Sequence, residues 1–530
     1  MSRWQLAVFL IAAIVVIPLS VVLSALFSVN DEVWKHLVET LLAEVLWNTL
    51  WLVLGVAAGT TLLGVSLAWL CAATDFPGRR FFDWAMILPM AIPSYVTAFV
   101  AIGLLDFTGP VQTALRESLG RGRFWFPEIR SRGGIILVMT LTLYPYVYLL
   151  ARNAFMTQGR RALEAAQSLG HGRWSGFFRV ALPMARPWIV GGVMLAMMET
   201  LSDFGAVSIF NYDTFATAIY KAWFGFFSLP AASQLASLLV LLVFALLLME
   251  QRLSARARYT SGGRGGERGG RIALTGGRRW LAFGFVLSAF CMAFLIPVIQ
   301  LLIWSASIVG GDLDARYLGY LGHSLSLGAM AALLTVCAVL ILVYANRLRA
   351  TALLRLLTRI STLGYALPGS VLAVGVFIPL AWLDNQLIAH FKSAITLKGT
   401  LLAMLLAYLV RFLAVAHRPV ESAAKRISKH IDESARNLGC TGIAMLRRVH
   451  LPMMRSGILT AVVLVFVDVM KEMPITLMTR PFGWDTLAIR IFEMTSEGEW
   501  ERAALPAVAI ILAGLVPVFL LTRDVRPGRS

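Results

Sequence analysis

The sequence predicts an all-α polytopic membrane protein built from two tandem six-helix halves, about twelve transmembrane helices in all. Three observations carry that expectation. The chain has 530 residues, 58% of them hydrophobic and only 14% charged. Apolar stretches of membrane-spanning length recur from end to end, and one spaced motif returns at a fixed offset. A soluble globule of this size needs more polar surface than such a composition supplies. A helix of roughly 18 to 25 apolar residues, rising about 1.5 Å per residue, crosses a ~30 Å hydrocarbon core.

In the first half the stretches run from Trp4 to Leu26, Thr49 to Ala73, Phe82 to Leu105, Ile135 to Ala154, Trp188 to Phe210 and Ala232 to Met249. In the second half they run from Trp280 to Trp304, Leu325 to Val343, Leu363 to Trp382, Leu401 to Ala416, Ile458 to Met478 and Ala503 to Leu521. Arg3 ahead of the first stretch gives it the look of a signal peptide. The apolar run is longer than a usual signal core and no clear small-residue cleavage site follows, so the favoured reading is a first span.

The net charge of +18 follows membrane topology and makes no stripe suited to nucleic acid. Arg79 and Arg80, then Arg160, Arg161, Arg173 and Arg179, then Arg252, Arg256 and Arg258, then Arg347 and Arg349 fall in alternate loops. Those loops are expected in the cytoplasm, together with Lys425, Arg426, Arg447 and Arg448 and the tail residues Arg523 and Arg526, which puts both termini inside. The loop from Leu105 to Gly134 opposes the pattern, because it is external by count yet carries Arg116, Arg121, Arg123, Arg130 and Arg132. It reads as an extracytoplasmic docking surface. Cys71, Cys291 and Cys337 lie in apolar segments and Cys440 in a cytoplasmic loop, which indicates no disulfide framework, and the seven histidines have no metal-ligand spacing.

Residues 251–279 are rich in Gly and Arg, with SGGRGGERGG at Ser261 to Gly270, and cannot bury a core. They read as a cytoplasmic linker between a first transmembrane domain at 1–250 and a second at 280–530. Across the linker Glu164-Ala-Ala-Gln-Ser-Leu-Gly170 returns as Glu433-Ser-Ala-Arg-Asn-Leu-Gly439, and Leu182-Pro183 as Leu451-Pro452, each 269 residues on. LPMAIPSYVTAF from Leu88 and LGYALPGSVLAV from Leu363 are weaker echoes, as are Tyr212-Asp-Thr-Phe-Ala and Trp484-Asp-Thr-Leu-Ala. Two copies that each hold six spans and start on the same side are expected to be related by a pseudo-twofold axis along the membrane normal, with a path between them.

Both copies carry Glu-x-Ala-x3-Gly-x9-Val-x-Leu-Pro in a basic loop between the fourth and fifth spans. Leu163 to Leu169 can form a short helix that Gly170 ends, and a second amphipathic piece with Trp174, Phe177 and Phe178 follows. Pro183 is then expected to break the path before the fifth span. The product is an L-shaped element whose ridge suits a partner's groove. This spacing resembles the cytoplasmic EAA loop of the integral membrane subunits of ATP-binding cassette importers, and implies the type I importer fold. By that resemblance Glu164, Ala165, Ala166, Gly170, Leu182 and Pro183, with Glu433, Ala435, Gly439, Leu451 and Pro452, form two contacts to two copies of an ATPase subunit. Ser434 stands where the first copy has Ala165. The chain has no G-x4-GK[ST] phosphate loop, so it is expected to hold no cofactor and to perform no hydrolysis, with ATP and Mg bound by the separate ATPase.

The fifth span of each half holds charge. Glu199 and Asp203 stand four apart, a spacing that shares one helix face, and Asp468 and Glu472 are their equivalents at the same offset, beside Lys471. Ionised groups at membrane depth cost at least ~2.5 kcal/mol each and face a cavity or one another. Four such carboxylates make a hard-oxygen setting suited to a highly charged cation. In the alternative, Lys471 pairs with an acid and the others cap or gate the fifth helices. The stretches from Glu199 to Phe210, Ala216 to Phe226 and Asp468 to Glu493 resemble the fused permeases of ferric-iron importers, which implies iron as cargo and a periplasmic binding protein as partner; fused permeases for thiamine and aminoethylphosphonate share the layout. The rival of another class is a secondary transporter relaying protons through the four acids. A membrane-embedded enzyme finds no nucleophile–base pair or metal cluster to support it.

Overall fold

The computed structural model describes residues 3–27, 32–119, 126–159, 173–255, 272–348, 351–391 and 396–525. Among them the regular structure is helical apart from a two-residue parallel ladder that pairs Thr74 with Ile272 and Asp75 with Ala273. Twelve helices are long and apolar enough to cross a membrane, as expected. They run Trp4–Phe27, Leu42–Ala73, Ser94–Ser118, Arg132–Thr157, Phe177–Ser202, Leu229–Leu253, Gly277–Gly311, Ala315–Leu348, Gly369–His390, Leu401–Lys425, Gly442–Lys471 and Trp500–Phe519, and are called spans 1 to 12.

Four stretches depart from the boundaries read from the sequence. The third stretch does not begin as one helix at Phe82. Pro89 and Pro93 each lack an N–H and push the preceding residue out of helical geometry, so the chain forms a short helix Arg79–Ala85, a tight turn Leu88–Ala91 and a new helix from Ser94. The ninth is divided in the same way, into an amphipathic helix Ala352–Ser361, a turn Thr362–Ala366 and a helix from Gly369. The fifth and eleventh spans start earlier and end earlier than expected, at Ser202 and Lys471.

Packing divides the chain into two compact units, and each draws on both sides of the linker. One unit comprises residues 1–36, 218–240 and 311–491, so span 1 packs with spans 8 to 11 of the other repeat. Its Trp4 ring meets Tyr344 edge-on at 4.9 Å. Gly375 lets span 9 lie against span 1, since a Cβ there would sit 2.9 Å from the Pro18 carbonyl oxygen. The second unit comprises 37–217, 241–310 and 492–530, so span 7 packs with spans 2 to 5. There Trp304 stacks on Phe99 at 6.4 Å and fills the space left by Gly103. The first span of each repeat thus completes the helix bundle of the other, burying an apolar face that the remaining spans leave open.

Within each unit, equivalent hydrogen bonds carry the repeat into three dimensions. Thr49 accepts from the Phe215 N–H at 3.3 Å, and Ser324 accepts from the Leu487 N–H at 2.9 Å. Thr49 and Ser324 lie 275 residues apart, as do Leu88 and Leu363. The repeat offset is therefore 275 before the motif loop and 269 across the loop and fifth span.

Candidate functional site

The second motif loop lies wholly among described residues. Lys429–Asn437 forms a helix with Ser428 at its N-cap position. Gly439, at φ +77, closes it. The Gly439 N–H reaches the Arg436 carbonyl at 2.9 Å and the Cys440 N–H reaches the Ala435 carbonyl at 2.8 Å. This paired closure needs a left-handed residue after the last turn, which glycine adopts without steric cost. Ala435 faces inward at 7% exposure, whereas Glu433 points outward, 3.3 Å from the His430 ring. Leu438 is 86% exposed at the corner. The first copy, with Glu164, Ala165, Ala166 and Gly170, lies outside the described residues.

Beyond the corner the structure corrects the expectation of a proline break. Pro183 and Pro452 sit in the first turn of Leu182–Ser202 and Leu451–Lys471, and the helix runs through both sites. Each is preceded by one wide turn, Phe177–Ala181 and Leu446–His450, in which the Leu182 and Leu451 N–H groups bond to Phe177 and Leu446 five residues back. Widening the turn makes room for the pyrrolidine ring against the carbonyl that an ordinary turn would press on it. The second motif loop and span 11 therefore form a helix, a glycine corner and one continuous rod.

A polar cluster ties the second motif helix to its unit. Arg347, at the end of span 8, forks onto Asp432 at 3.0 and 2.9 Å and also donates to the carbonyls of Ala424 and Ile427 at 3.0 and 3.1 Å. His450, 1% exposed in the wide turn of span 11, places Nε2 2.9 Å from Asp432 Oδ1. Partial burial favours the neutral acid, but the bonds from Arg347 and His450 outweigh it and hold the Asp432 carboxyl below its ordinary range. These residues escaped the sequence reading because Arg347 counted there only as loop charge, Asp432 stands just ahead of the motif and His450 fills one of its variable slots.

The other ends of the fifth and eleventh spans hold the expected acids in an unexpected arrangement. Glu199 and Asp203 do not share a helix face, because the helix stops at Ser202 and Asp203 is extended at φ −71, ψ 124. Glu472 is its match at φ −71, ψ 121. Each carboxylate caps the short helix that follows: Asp203 accepts from Ala206 N–H at 2.8 Å and Glu472 from Ile475 N–H at 3.1 Å. A carboxylate meets free N–H groups and a favourable dipole there. Glu199 and Asp468 stay on the last turns of the preceding helices, half-buried, and Lys471 lies within electrostatic reach of Asp468.

The two caps are braced by different chemistry. Ser94, which opens span 3, donates a short hydrogen bond to Asp203. In the equivalent place stands Gly369, where an added Cβ would be 2.7 Å from Glu472 Oε1 and 2.9 Å from a guanidinium nitrogen of Arg411. That space admits Arg411, whose Nε is 3.3 Å from Glu472 Oε2. Arg411 was legible as a charge inside an apolar run, Tyr408-Leu-Val-Arg-Phe-Leu413, the pattern that marks a partnered intramembrane group. Among the described residues no three His, Cys, Asp or Glu side chains gather into a group that could hold a metal ion.

In the Arg-rich loop, three arginines are engaged locally. Arg130 reaches Asp106 at 3.1 Å and the Ile209 carbonyl at 3.3 Å, Arg116 lies 4.3 Å over the Phe107 ring, and Arg132 reaches Asn48 at 3.5 Å. Arg121 and Arg123 lie outside the described residues.

Among the described residues, twelve apolar spans in two matched sets, with charged caps just past the ends of spans 5 and 11 and a repeated basic loop of defined spacing, fit a multi-pass membrane permease. The chain belongs to the family described as binding-protein-dependent transport system inner membrane component, whose profile matches residues 60–259 and 338–526. It is a permease subunit of an ATP-binding cassette importer, and not an enzyme. It is 29% identical over 489 residues to the Fe(3+)-transport system permease protein FbpB 2 of Haemophilus influenzae, covering 91% of this chain and 90% of that one. It is 24% identical to the probable ABC transporter permease protein y4fN of Sinorhizobium fredii over 92% of this chain and 88% of that one. The sulfate transport system permease protein CysT of Escherichia coli is 30% identical over 36% of this chain and 71% of its own length.

Proposed function

We propose that this permease carries ferric iron, delivered by a periplasmic binding protein, across the inner membrane by alternating access driven by two copies of a separate ATPase. The observation that carries the cargo assignment is the likeness to a ferric-iron permease along nine tenths of both chains, with both repeats included. The sulfate permease matches about one repeat's length, which supports a shared fold more than a shared cargo. In this reading the motif loops around Glu164 and Glu433 receive the ATPase copies, each of which binds its own ATP and Mg. The loop from 106 to 133 faces the binding protein, both termini lie in the cytoplasm, and residues 1–250 and 280–530 are the two permease domains joined by 251–279. An effector drives such a cycle only by binding one state better than another. Loaded binding protein outside and nucleotide inside supply that difference.

Iron is cargo here, and the chain's acids are candidates to meet it in transit. Asp203 and Glu472 are committed to capping, so Glu199 and Asp468 are the carboxylates better placed for contact. The test is uptake of radioactive ferric iron into proteoliposomes holding the permease, its ATPase and the iron-loaded binding protein. Uptake is expected only with internal ATP. Uptake under a proton gradient without nucleotide or ATPase would overturn the importer scheme, and uptake of sulfate or thiamine in place of iron would overturn the cargo.

A further inference from the structure

The charged cluster that fastens the second motif helix to the membrane domain has no charged counterpart at the equivalent positions of the first half. In the second half Asp432, immediately before Glu433, sits between Arg347 of span 8 and His450 of span 11. The repeat offsets give the first-half equivalents as Ala72 for Arg347, Leu163 for Asp432 and Ala181 for His450. All three members of the charged cluster are thus replaced together by apolar residues. Leu163 lies outside the described residues; the neighbouring end of span 4 combines aromatic packing with an ion pair in which Arg152 forks onto Asp83 at 2.6 Å. Trp69 packs at 4.5 Å on Phe177 and at 5.3 Å on Phe155. Tyr344, the equivalent of Trp69, instead donates to the Gly442 carbonyl at 2.8 Å and meets the His450 ring edge-on at 5.7 Å.

From this concerted exchange we infer that Asp432 is a positioning residue for the second ATPase-contacting helix only. Arg347 and His450 clamp it, so that the helix moves as one body with spans 8 and 11, while the first-half sequence offers no charged side chain at any of the three equivalent positions. The geometry favours a rigid joint. The guanidinium fork fixes both carboxylate oxygens, and its remaining donors fix two carbonyls at the end of span 10 and the turn after it. Asp432 holds the helix from its inward face, about a quarter-turn or more round from Glu433, which stays exposed to a partner.

The inference rests on the motif loops being the ATPase contacts, and the experiment separates the two claims. Glu164→Cys and Glu433→Cys are introduced one at a time into an otherwise cysteine-free permease, co-assembled with the ATPase, and cross-linked to it with and without nucleotide and loaded binding protein. With the native cluster both positions are expected to cross-link. With Asp432→Asn, the yield at 433 should fall about tenfold while the yield at 164 is unchanged, and the exchanged pair Arg347→Asp with Asp432→Arg should restore part of it. Should Asp432→Asn fail to insert, Arg347→Lys, which keeps the charge and loses the fork, is expected to lower the 433 yield severalfold by itself. Absence of cross-linking at both positions in the native background would overturn the ATPase-contact reading and this inference with it. Unchanged yield at 433 in both variants, or equal loss at 164 and 433, would overturn the asymmetric clamp alone.

Discussion

Asp203 and Glu472 show how one carboxylate can be structural at the end of a membrane span. Each ends one helix and starts the next, so its charge is met by N–H groups in place of water. Asp203→Ala removes both the cap and the bond from Ser94, and a lost cap typically costs about 1 kcal/mol. The permease in detergent should melt a few degrees lower, whereas Asp203→Asn, which keeps an acceptor oxygen, should lose clearly less. Equal losses for the two would show that charge, and not capping, matters at this position. Asp432 makes a pH prediction of a different kind. Its carboxyl is held below the ordinary value near 3.9, so the stability it contributes is fully present above that value and is lost as pH falls through the lowered one. The gap between native protein and Asp432→Asn should close only below about pH 4, as followed by melting at a series of pH values.

At the scale of elements, the motif loop is a helix, a glycine corner and a rod that passes through a proline. The helix was legible from its spacing and so was the corner, since a glycine after an amphipathic turn foretells a left-handed closure. The proline was misread as a break. Its effect depends on whether the preceding turn can widen, and that is a property of the packed neighbours rather than of the dipeptide. Because Glu433 lies outward on this helix, Glu164→Arg together with Glu433→Arg should leave membrane insertion intact and reduce co-purification of the ATPase at least tenfold. Recovery of the ATPase at native yield would remove both residues from the contact. The fifth spans teach a related lesson. A spacing of four implies a shared face only while the helix lasts, and the carboxylates themselves end it at 203 and 472.

At the scale of the whole molecule, the positive residues forecast which loops lie in the cytoplasm. Reporter fusions at the two termini are expected to show cytoplasmic signals. A periplasmic signal from either end would overturn the orientation and move the motif loops to the wrong side for an ATPase. Three of the arginines that break the pattern, Arg116, Arg130 and Arg132, are engaged by Phe107, Asp106 and Asn48, so local partners absorb part of that loop's charge.

The sequence by itself determined the membrane class, the twelve spans, the repeat and the family-defining loop. Each is encoded locally, in hydropathy over some twenty residues or in a motif of about twenty, and local patterns survive without knowledge of neighbours. Only the tertiary structure decided that span 1 packs with the second repeat and span 7 with the first, that Asp203 and Glu472 are caps braced by Ser94 and Arg411, and that Arg347, Asp432 and His450 form one cluster. The hydrogen-bonded side chains among them are separated by between 18 and 109 residues, and the packed spans by far more. Their pairing is set by which helices pack together, and no periodicity along the chain records it.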